Sequence, residues 1–454
     1  MWKGFGGVKS LDMAEKREVG VTLLGCGTVG GGVVNVLTEQ REMLRRRTGI
    51  DFVLRHVVVK SEAEYPPNAS ELPMSTDAAS AIDDPKTDVV IELIGGTGVA
   101  FTFVERALKL GKPVVTANKA LLAARGVELF ALARQKNTCI AFEASAGGGI
   151  PIIDALQRGL VANRVDALLG IVNGTCNFIL SQMSQKGWSY EKALKEAQAQ
   201  GFAEANPTMD VSGKDSLQKL AILAGLAFNV RIDEGDIYLE GIDKLDALDI
   251  KYADELGYVV KLLAIAERQN GDAISLRVHP TLVHKSDLLA QVSGSFNAIS
   301  FYGHALGHAL FYGRGAGRMP TASAVVSDLI GVALGTTLAQ FKALNVFMDQ
   351  SPKANVLPFA QLKTRYYLRL TAKDQPGVLA QVTKVLGDQK ISIASFVQHE
   401  ASEGSTSVPL VLTTHLAQEG AMHHAMGQIA ALAPISGQPL CLRIIDQPRE
   451  FSGG

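Results

Sequence analysis

Along the first third of the chain, apolar residues gather in short runs separated by glycine or polar breaks and then by stretches with helical spacing. Residues 19–24, 52–59, 88–94, 113–116 and 138–142 read as strands, and 33–47, 101–110 and 121–136 as helices. Strands alternating with helices predict a mostly parallel sheet covered on both faces. Beyond residue 150 the alternation loosens into longer amphipathic stretches at 152–160, 190–200 and 215–228, which predict a second, α+β domain. Residues 322–334 read as a helix that returns to the first domain. From residue 366 the pattern changes again: strand 366–372, helix 378–388, strands 391–398 and 408–414, helix 419–432 and strand 439–445. That βαββαβ order is ferredoxin-like.

Composition narrows what these domains do. The 454 residues exceed what one hydrophobic core organises. Acids nearly cancel bases, leaving a formal charge of -1, so no long-range field attracts polyanions and nucleic acid is not an expected partner. Cys26, Cys139, Cys176 and Cys441 lie far apart with no C-x-x-C pair, which argues against a zinc site or a disulfide scaffold and fits a reducing cytoplasm. Residues 1–18 mix glycine with charge, lack the apolar segment of a secretory signal, and read as a flexible tail in which Met13 is an alternative start. Apolar runs such as 220–228 reach about half of the roughly 20 residues a membrane span needs, so no bilayer crossing is expected.

The first strand ends in Gly25-Cys26-Gly27-Thr28-Val29-Gly30. A G-x-G-x-x-G turn between strand and helix lets the backbone approach a pyrophosphate whose charge rests on the helix N-terminus. An ordinary glycine-rich turn is the alternative, and the later strands favour the dinucleotide. The second strand ends on Lys60 where an NAD-preferring enzyme would carry an acid. A cation there suits the additional phosphate of NADP, with NAD still possible, and a solvated strand end reads equally well.

Reducing a carbonyl requires a polar grip on the substrate and a proton for the developing alkoxide, which lysine supplies where burial or a nearby cation adjusts its pKa. Lys119 follows an apolar strand, at the edge where open α/β sheets hold ligands, although a solvated loop lysine explains it too. Lys219 is more informative: Asp215 lies one helical turn before it, and no charged residue follows until Arg231, so the helix beyond it reads as buried all round. Glu204, Asp210 and Asp215 bring three carboxylates near that lysine, a set suited to an ammonium group. An exposed ion pair and helix-capping acids are the plain alternatives. His279, His284, His304 and His308 lie in a glycine-aromatic run with no acid or thiol to complete a metal set, and are assigned no chemistry.

Taken in order, residues 25–30, TANK at 116–119, FEASAGGGIP at 142–151, GIVNGTCNF at 170–178, the 204–219 segment and GAGRMPTAS at 315–323 resemble the successive signatures of the homoserine dehydrogenase family, from about residue 19 to 340. The final segment resembles an ACT domain. The resemblance implies an α/β chain: a Rossmann-type dinucleotide-binding domain over 19–142 completed by about 317–345, an α+β catalytic and dimerisation domain over 143–316, a linker over 346–362, and a ferredoxin-like ACT domain over 363–448. It implies NADPH- or NADH-dependent reduction of L-aspartate 4-semialdehyde to L-homoserine, toward threonine, methionine and isoleucine. Lys219 would then exchange the proton, with Lys119 contacting cofactor and substrate. Glu204 and Asp215, supported by Asp210 and with Gly174 and Thr175 beside them, would hold the substrate. Thr97 and Gly315 would lie near the nicotinamide and ribose. Main-chain carbonyls of Glu143, Ala146, Gly148 and Ile150 would bind a monovalent cation, usually sodium, although hinge glycines explain that segment as well. Cys176 stands where the family often has Thr or Ser, so a hydroxyl there is not essential. The turn containing Asp374 and Gly377 would bind an effector, L-threonine, unless the ACT domain serves assembly alone. No kinase-like segment precedes the dehydrogenase, as in the monofunctional form, and a homodimer or homotetramer is expected.

Two other readings compete. A different small-aldehyde or hydroxy-acid dehydrogenase would share the glycine turn but not the Glu204/Asp215/Lys219 group. A non-catalytic amino-acid sensor would need neither Lys119 nor Lys219.

Overall fold

The computed structural model describes residues 17–66, 69–399 and 407–446. The expected tail and Met13 lie outside the described residues, except Arg17 and Glu18, which already belong to the first strand. The chain divides into two compact units, one running to Ser145 and resuming over Gly317–Asp349, the other comprising Ala146–Ala316 and the chain from Gln350 onward.

The first unit is built on β1 (Arg17–Leu24), β2 (Ile50–Val58), β3 (Met74–Ser75), β4 (Val89–Glu92), β5 (Val114–Thr116) and β6 (Ile140–Ala141), arranged β3-β2-β1-β4-β5-β6. Every pairing is parallel. Val21, Leu23 and Leu24 of β1 are wholly buried, as a strand covered on both faces requires. Strand order reverses between β1 and β4, where such sheets bind ligands beyond the strands' carboxyl ends. The stretch expected as one helix over 33–47 is two, Thr28–Glu39 and Arg41–Thr48, broken at Gln40. Helix Arg318–Ala333 returns to this unit and packs against Thr28–Glu39 so closely that a Cβ on Gly32 would sit 2.7 Å from the Arg318 carbonyl oxygen.

In the second unit, β7 (Val165–Ile171), β8 (Tyr238–Leu239), β9 (Tyr258–Arg268), β10 (Ile274–His284), β11 (Phe296–Gly303) and β12 (Gly307–Arg314) come before a βαββαβ module. That module comprises β13 (Lys363–Lys373), β14 (Ile393–Gln398), β15 (Ser407–Thr414), the short β16 (Ala417–Gln418) and β17 (Ile435–Ile445), with helices Val378–Asp388 and Glu419–Ala430. Its own core includes Tyr366, Leu368, Leu370, Val382, Leu386, Leu412, Met422 and Ile429. The sheet runs β12-β11-β7-β9-β10-β17-β13-β15-β14, so the module is not tethered beside the preceding sheet but continues it. Thr281, Leu282 and Val283 of β10 pair in parallel with Arg443, Ile444 and Ile445 of β17. The segment expected as a linker is correspondingly ordered, with the amides of Arg231 and Ile274 donating to the carbonyls of Pro352 and Asn355 at 2.7 and 2.9 Å.

Candidate active site

The glycine turn after β1 is shaped by two steric demands. Gly25 has φ +97, and a Cβ on it would come within 2.7 Å of the Leu93 carbonyl oxygen. A Cβ on Gly30 would lie 2.1 Å from the carbonyl oxygen of Gly25. Gly27 differs, since nothing lies within 4 Å of its Cβ position. It is the N-cap of helix Thr28–Glu39 and supplies no side-chain cap, so the first-turn amides of Thr28 and Val29 receive no side-chain acceptor from the cap position. A helix N-terminus without a cap, behind a glycine that clears the approach, fits the pyrophosphate of a dinucleotide.

The loop after β4 forms a second wall. Gly95 and Gly96 take left-handed φ values of 80 and 73, and Thr97 follows on the exposed side. Glu92, fully buried, holds this loop: one carboxylate oxygen accepts the amides of Ile94 and Gly95 at 2.8 and 3.0 Å, the other the Thr116 hydroxyl at 2.7 Å. Asn118 caps helix Lys119–Gln135 through the Leu121 amide at 3.1 Å and donates to the Gly96 carbonyl at 2.7 Å. Lys119 is thus the first helical residue after β5, half-buried. An ammonium there opposes the helix dipole by about 0.3–1 kcal/mol, so helix stability does not explain it. Lys60 is exposed just past the end of β2, with its amide 3.4 Å from the Glu64 carboxylate. Glu143 closes the unit in a short turn, its amide donating to Asp328 at 2.7 Å.

The acid-lysine group belongs to the second unit. Helix Lys214–Phe228 starts at Gly213, whose φ of +82 turns the chain into it, and places Asp215 in its favourable first turn. The two turns after Lys219 hold the expected burial, with Leu220, Ile222, Leu223 and Ala224 at most 2% exposed, whereas Gly225, Ala227 and Phe228 toward the end are half-buried. Lys219 keeps only 12% of its side chain exposed, and its Nζ donates to the Val172 carbonyl at 2.7 Å and to Asp215 Oδ2 at 2.8 Å. Asn173, at the end of the segment following β7, ties the acids together. Its Nδ2 donates to Asp215 at 2.8 Å and Asp210 at 2.7 Å, while its Oδ1 caps helix Gly174–Lys186 at the Cys176 amide. Burial pushes the Asp210 carboxyl above the usual carboxylate range; the Asn173 hydrogen bond and Lys219 pull it back, and Asp215 and Glu204 push it further up. Glu204 is exposed on the neighbouring loop.

Other expected positions have identifiable local roles. A Cβ on Gly174 would meet the Ser295 carbonyl at 2.7 Å, and the Thr175 hydroxyl donates to the Phe202 carbonyl at 2.6 Å. The Cys176 thiol donates to the Asp210 carbonyl at 3.2 Å. Gly315 lies against Asn297, whose amide would be 1.8 Å from an added Cβ. Gly148 has φ +55 and abuts the Gly315 carbonyl. Among the described residues the carbonyls of Ala146 and Gly148 accept no backbone hydrogen bond, whereas that of Ile150 accepts the Ile152 amide at 2.8 Å. His279 is buried, and burial with the charges of Arg443 and Arg277 holds its ring well below the usual histidine range. His304 accepts the Arg164 amide and His308 stacks on Tyr302. Asp374 is exposed, and Gly377, φ +88, opens helix Val378–Asp388. Sequence reasoning missed Glu92, Asn118 and Asn173 as organisers; both asparagines stand immediately before helices, which is the available signal.

A parallel sheet in the order 3-2-1-4-5-6 with a bare helix N-terminus at its switch point, joined in one chain to an acid-lined lysine, defines a dinucleotide-dependent oxidoreductase that carries an added ferredoxin-like module. Residues 25–143 match the family described as homoserine dehydrogenase, NAD binding domain, 151–330 homoserine dehydrogenase, and 366–434 the ACT domain. The homoserine dehydrogenase of Pseudomonas aeruginosa is 44% identical over 94% of this chain and 99% of its own length. The crystal structure of a homoserine dehydrogenase from Thiobacillus denitrificans superposes with TM-score 0.89 at 44% identity, covering 95% of this chain and 99% of that one. A hyperthermophilic archaeal homoserine dehydrogenase in complex with NADPH matches at TM-score 0.60 and 25% identity over 70% of this chain and 98% of its own. The chain belongs to the homoserine dehydrogenase family.

Proposed function

We propose that this homoserine dehydrogenase interconverts L-aspartate 4-semialdehyde and L-homoserine with Lys219 as the proton-exchanging group, on the way to threonine, methionine and isoleucine. The observation that carries the reading is the hydrogen bonding of Nζ. An ammonium has three N–H donors; two are taken by Val172 and Asp215, which fixes the direction of the third. Bound nicotinamide supplies hydride to the aldehyde carbon in reduction and accepts it in oxidation. In reduction the remaining N–H of Lys219 donates to the oxygen as it becomes an alkoxide; in oxidation Nζ takes the hydroxyl proton. Glu204, Asp210 and Asp215 outnumber the one ammonium among them, so the group favours the substrate's own ammonium. Gly174 and Thr175 open a helix whose N-terminus suits the substrate carboxylate. In this reading Lys119 lies along the cofactor and substrate, Gly25, Gly27, Thr28, Val29 and Gly30 hold the pyrophosphate, and Thr97 and Gly315 flank the nicotinamide and ribose.

The same proposal assigns NADP as the preferred cofactor, since Lys60 is exposed at the end of β2 and a relative is described with NADPH. It makes the Ala146, Gly148 and Ile150 carbonyls ligands of a sodium ion, supported by the unengaged carbonyls of the first two. The Glu143 carbonyl, three residues before Ala146, belongs to the same proposed set. It takes L-threonine as effector at the Asp374–Gly377 turn. It also includes a homodimer or homotetramer that covers an outer sheet edge, since β12 and β14 end the sheet. A cytoplasmic setting agrees with four free cysteines. Among the described residues no single helix is long and apolar enough to cross a membrane. One assay tests the core of this reading: homoserine-dependent reduction of NADP and of NAD by the wild type and Lys219→Ala, with and without threonine. Wild-type turnover in the variant would remove the proton donor, and equal use of NAD would remove the role of Lys60.

A further inference from the structure

Asp210 lies in the short helix Thr208–Val211, one residue from a carbonyl held from outside the acid group. The Val211 carbonyl accepts the Ile242 amide at 2.9 Å, and a Cβ on Gly241 would come within 2.4 Å of the same oxygen. The backbone at 241–242 therefore presses on Val211 with no side chain between them, and Ile242 is wholly buried. Glu240 anchors that backbone. Its amide donates to the Val278 carbonyl of β10 at 2.8 Å. Its carboxylate accepts Arg443 Nη1 at 2.7 Å and the Tyr238 hydroxyl at 3.2 Å. Arg443 is on β17, the last strand of the ACT domain, with only 7% of its side chain exposed, and its other N–H groups engage Glu419 at 2.6 and 3.0 Å and the Tyr238 hydroxyl at 3.2 Å. A buried guanidinium with every arm occupied has little freedom to reorient, so the position of β17 is imposed on Glu240.

We infer that Glu240 and Arg443 are positioning residues for substrate: they set the placement of Asp210, and through the Asn173 amide that of Asp215, by way of the Ile242–Val211 hydrogen bond. The ACT edge strand is in this way part of the support of the substrate site, whatever its turn binds. The inference rests on Asp210 belonging to the substrate group. Removing the Glu240 carboxylate takes away its direct side-chain link to β17 while leaving Arg443 neutralised by Glu419, so the fold keeps its buried ion pair and the effect concentrates on Val211.

Steady-state kinetics of the full chain test this. Glu240→Ala is expected to raise the KM for homoserine about tenfold, with kcat and the KM for NADP within about twofold. Glu240→Gln, which keeps an acceptor for Arg443, should return the homoserine KM to within about threefold of wild type. A merely structural role would lower Tm without separating these parameters. An unchanged homoserine KM in folded Glu240→Ala, or a parallel change in the KM for NADP, overturns the inference. If Glu240→Ala does not fold, Arg443→Lys is measured instead, with a homoserine KM about threefold higher expected and none overturning it. Asp210→Asn separates this test from the reading beneath it. A normal KM in that variant removes Asp210 from the substrate group, whereas a raised KM there beside a normal one in the Glu240 variants removes only the coupling.

Discussion

The two candidate ligand-binding regions of this chain handle charge by opposite means. Around Gly25, Gly27 and Gly30 the backbone does the work: amides at a helix start are left bare, and glycines clear the approach to them. Around Lys219 the work falls to side chains, with Asn173 spanning two carboxylates and Lys219 spanning a carbonyl and one of those acids. A site made of backbone fails when any Cβ is added, whatever its charge. A site made of side chains tolerates small changes of volume and fails when one donor or acceptor is lost.

The largest expected effect strikes the side-chain site. In the reading proposed above Lys219→Ala removes the proton-exchanging group, and kcat should fall about a thousandfold while NADPH affinity stays within about twofold. Single-turnover rates with NADPH titrated by fluorescence separate the two, and a loss of less than about tenfold would show that water or another group carries the proton. On the backbone side, Gly30→Ala drives a methyl group into the Gly25 carbonyl and should weaken NADPH binding about a hundredfold, roughly 2.7 kcal/mol, with Tm falling as well. Gly27→Ala meets only open space, so it should weaken NADPH while leaving Tm unchanged. If both variants lost Tm equally, the distinction between a packing glycine and a ligand-facing one would not hold.

The same contrast explains what could be read from the sequence. Glycines with a steric duty stand out because few residues replace them, and the alternation of strands and helices predicts the sheet that places them. Asp215 and Lys219 are legible because both lie on one helix, one turn apart, with an apolar run behind them. Asn173, in contrast, reaches Asp210 and Asp215 across 37 and 42 residues, and no local pattern announces such a bridge. Glu92 looks like an ordinary strand end until Ile94, Gly95 and Thr116 are seen to converge on it. The βαββαβ order of the last module is local and legible. Its fusion to β10 through three residue pairs is a long-range match of strand edges and is not.

A smaller effect probes the bridge itself. Asn173→Ala leaves Asp210 and Asp215 without their shared donor and should raise the homoserine KM about tenfold, with the KM for NADP unchanged. The Asp210 carboxyl titrates above its usual range, chiefly through burial. Only its ionised form attracts an ammonium, so homoserine affinity should begin to fall at a higher pH than an ordinary carboxylate would allow as the solution is acidified. Asp210→Asn should abolish that acid limb and Asn173→Ala should move it to higher pH, because the hydrogen bond that favours the charged form is gone. A pH profile of kcat/KM that is identical in all three proteins would remove Asp210 from substrate binding.

The smallest effect on activity comes from a second buried lysine, and it asks whether burial alone makes a lysine functional. Lys261 of β9 is 2% exposed, against 12% for the side chain of Lys219, and its Nζ meets the Val292 carbonyl and Asn177 Oδ1 rather than a carboxylate. Burial pulls it from 10.5 down to about 8. Below that value both folded and unfolded chains carry the proton, and the folded state bears the cost of a poorly solvated charge. Between about 8 and 10.5 the folded chain has released a proton that the unfolded chain still holds, so this group makes stability rise with pH across that window, by roughly 3 kcal/mol at most. Lys261→Met should therefore be more stable than wild type at pH 7 by about 1–3 kcal/mol and lack the alkaline rise, with homoserine turnover within about twofold. Urea denaturation at neutral and alkaline pH measures both. A variant less stable at neutral pH would mean that the bonds to Val292 and Asn177 outweigh desolvation, and a loss of turnover would mean that the acids around Lys219 are not what separates the proposed catalytic lysine from a merely buried one.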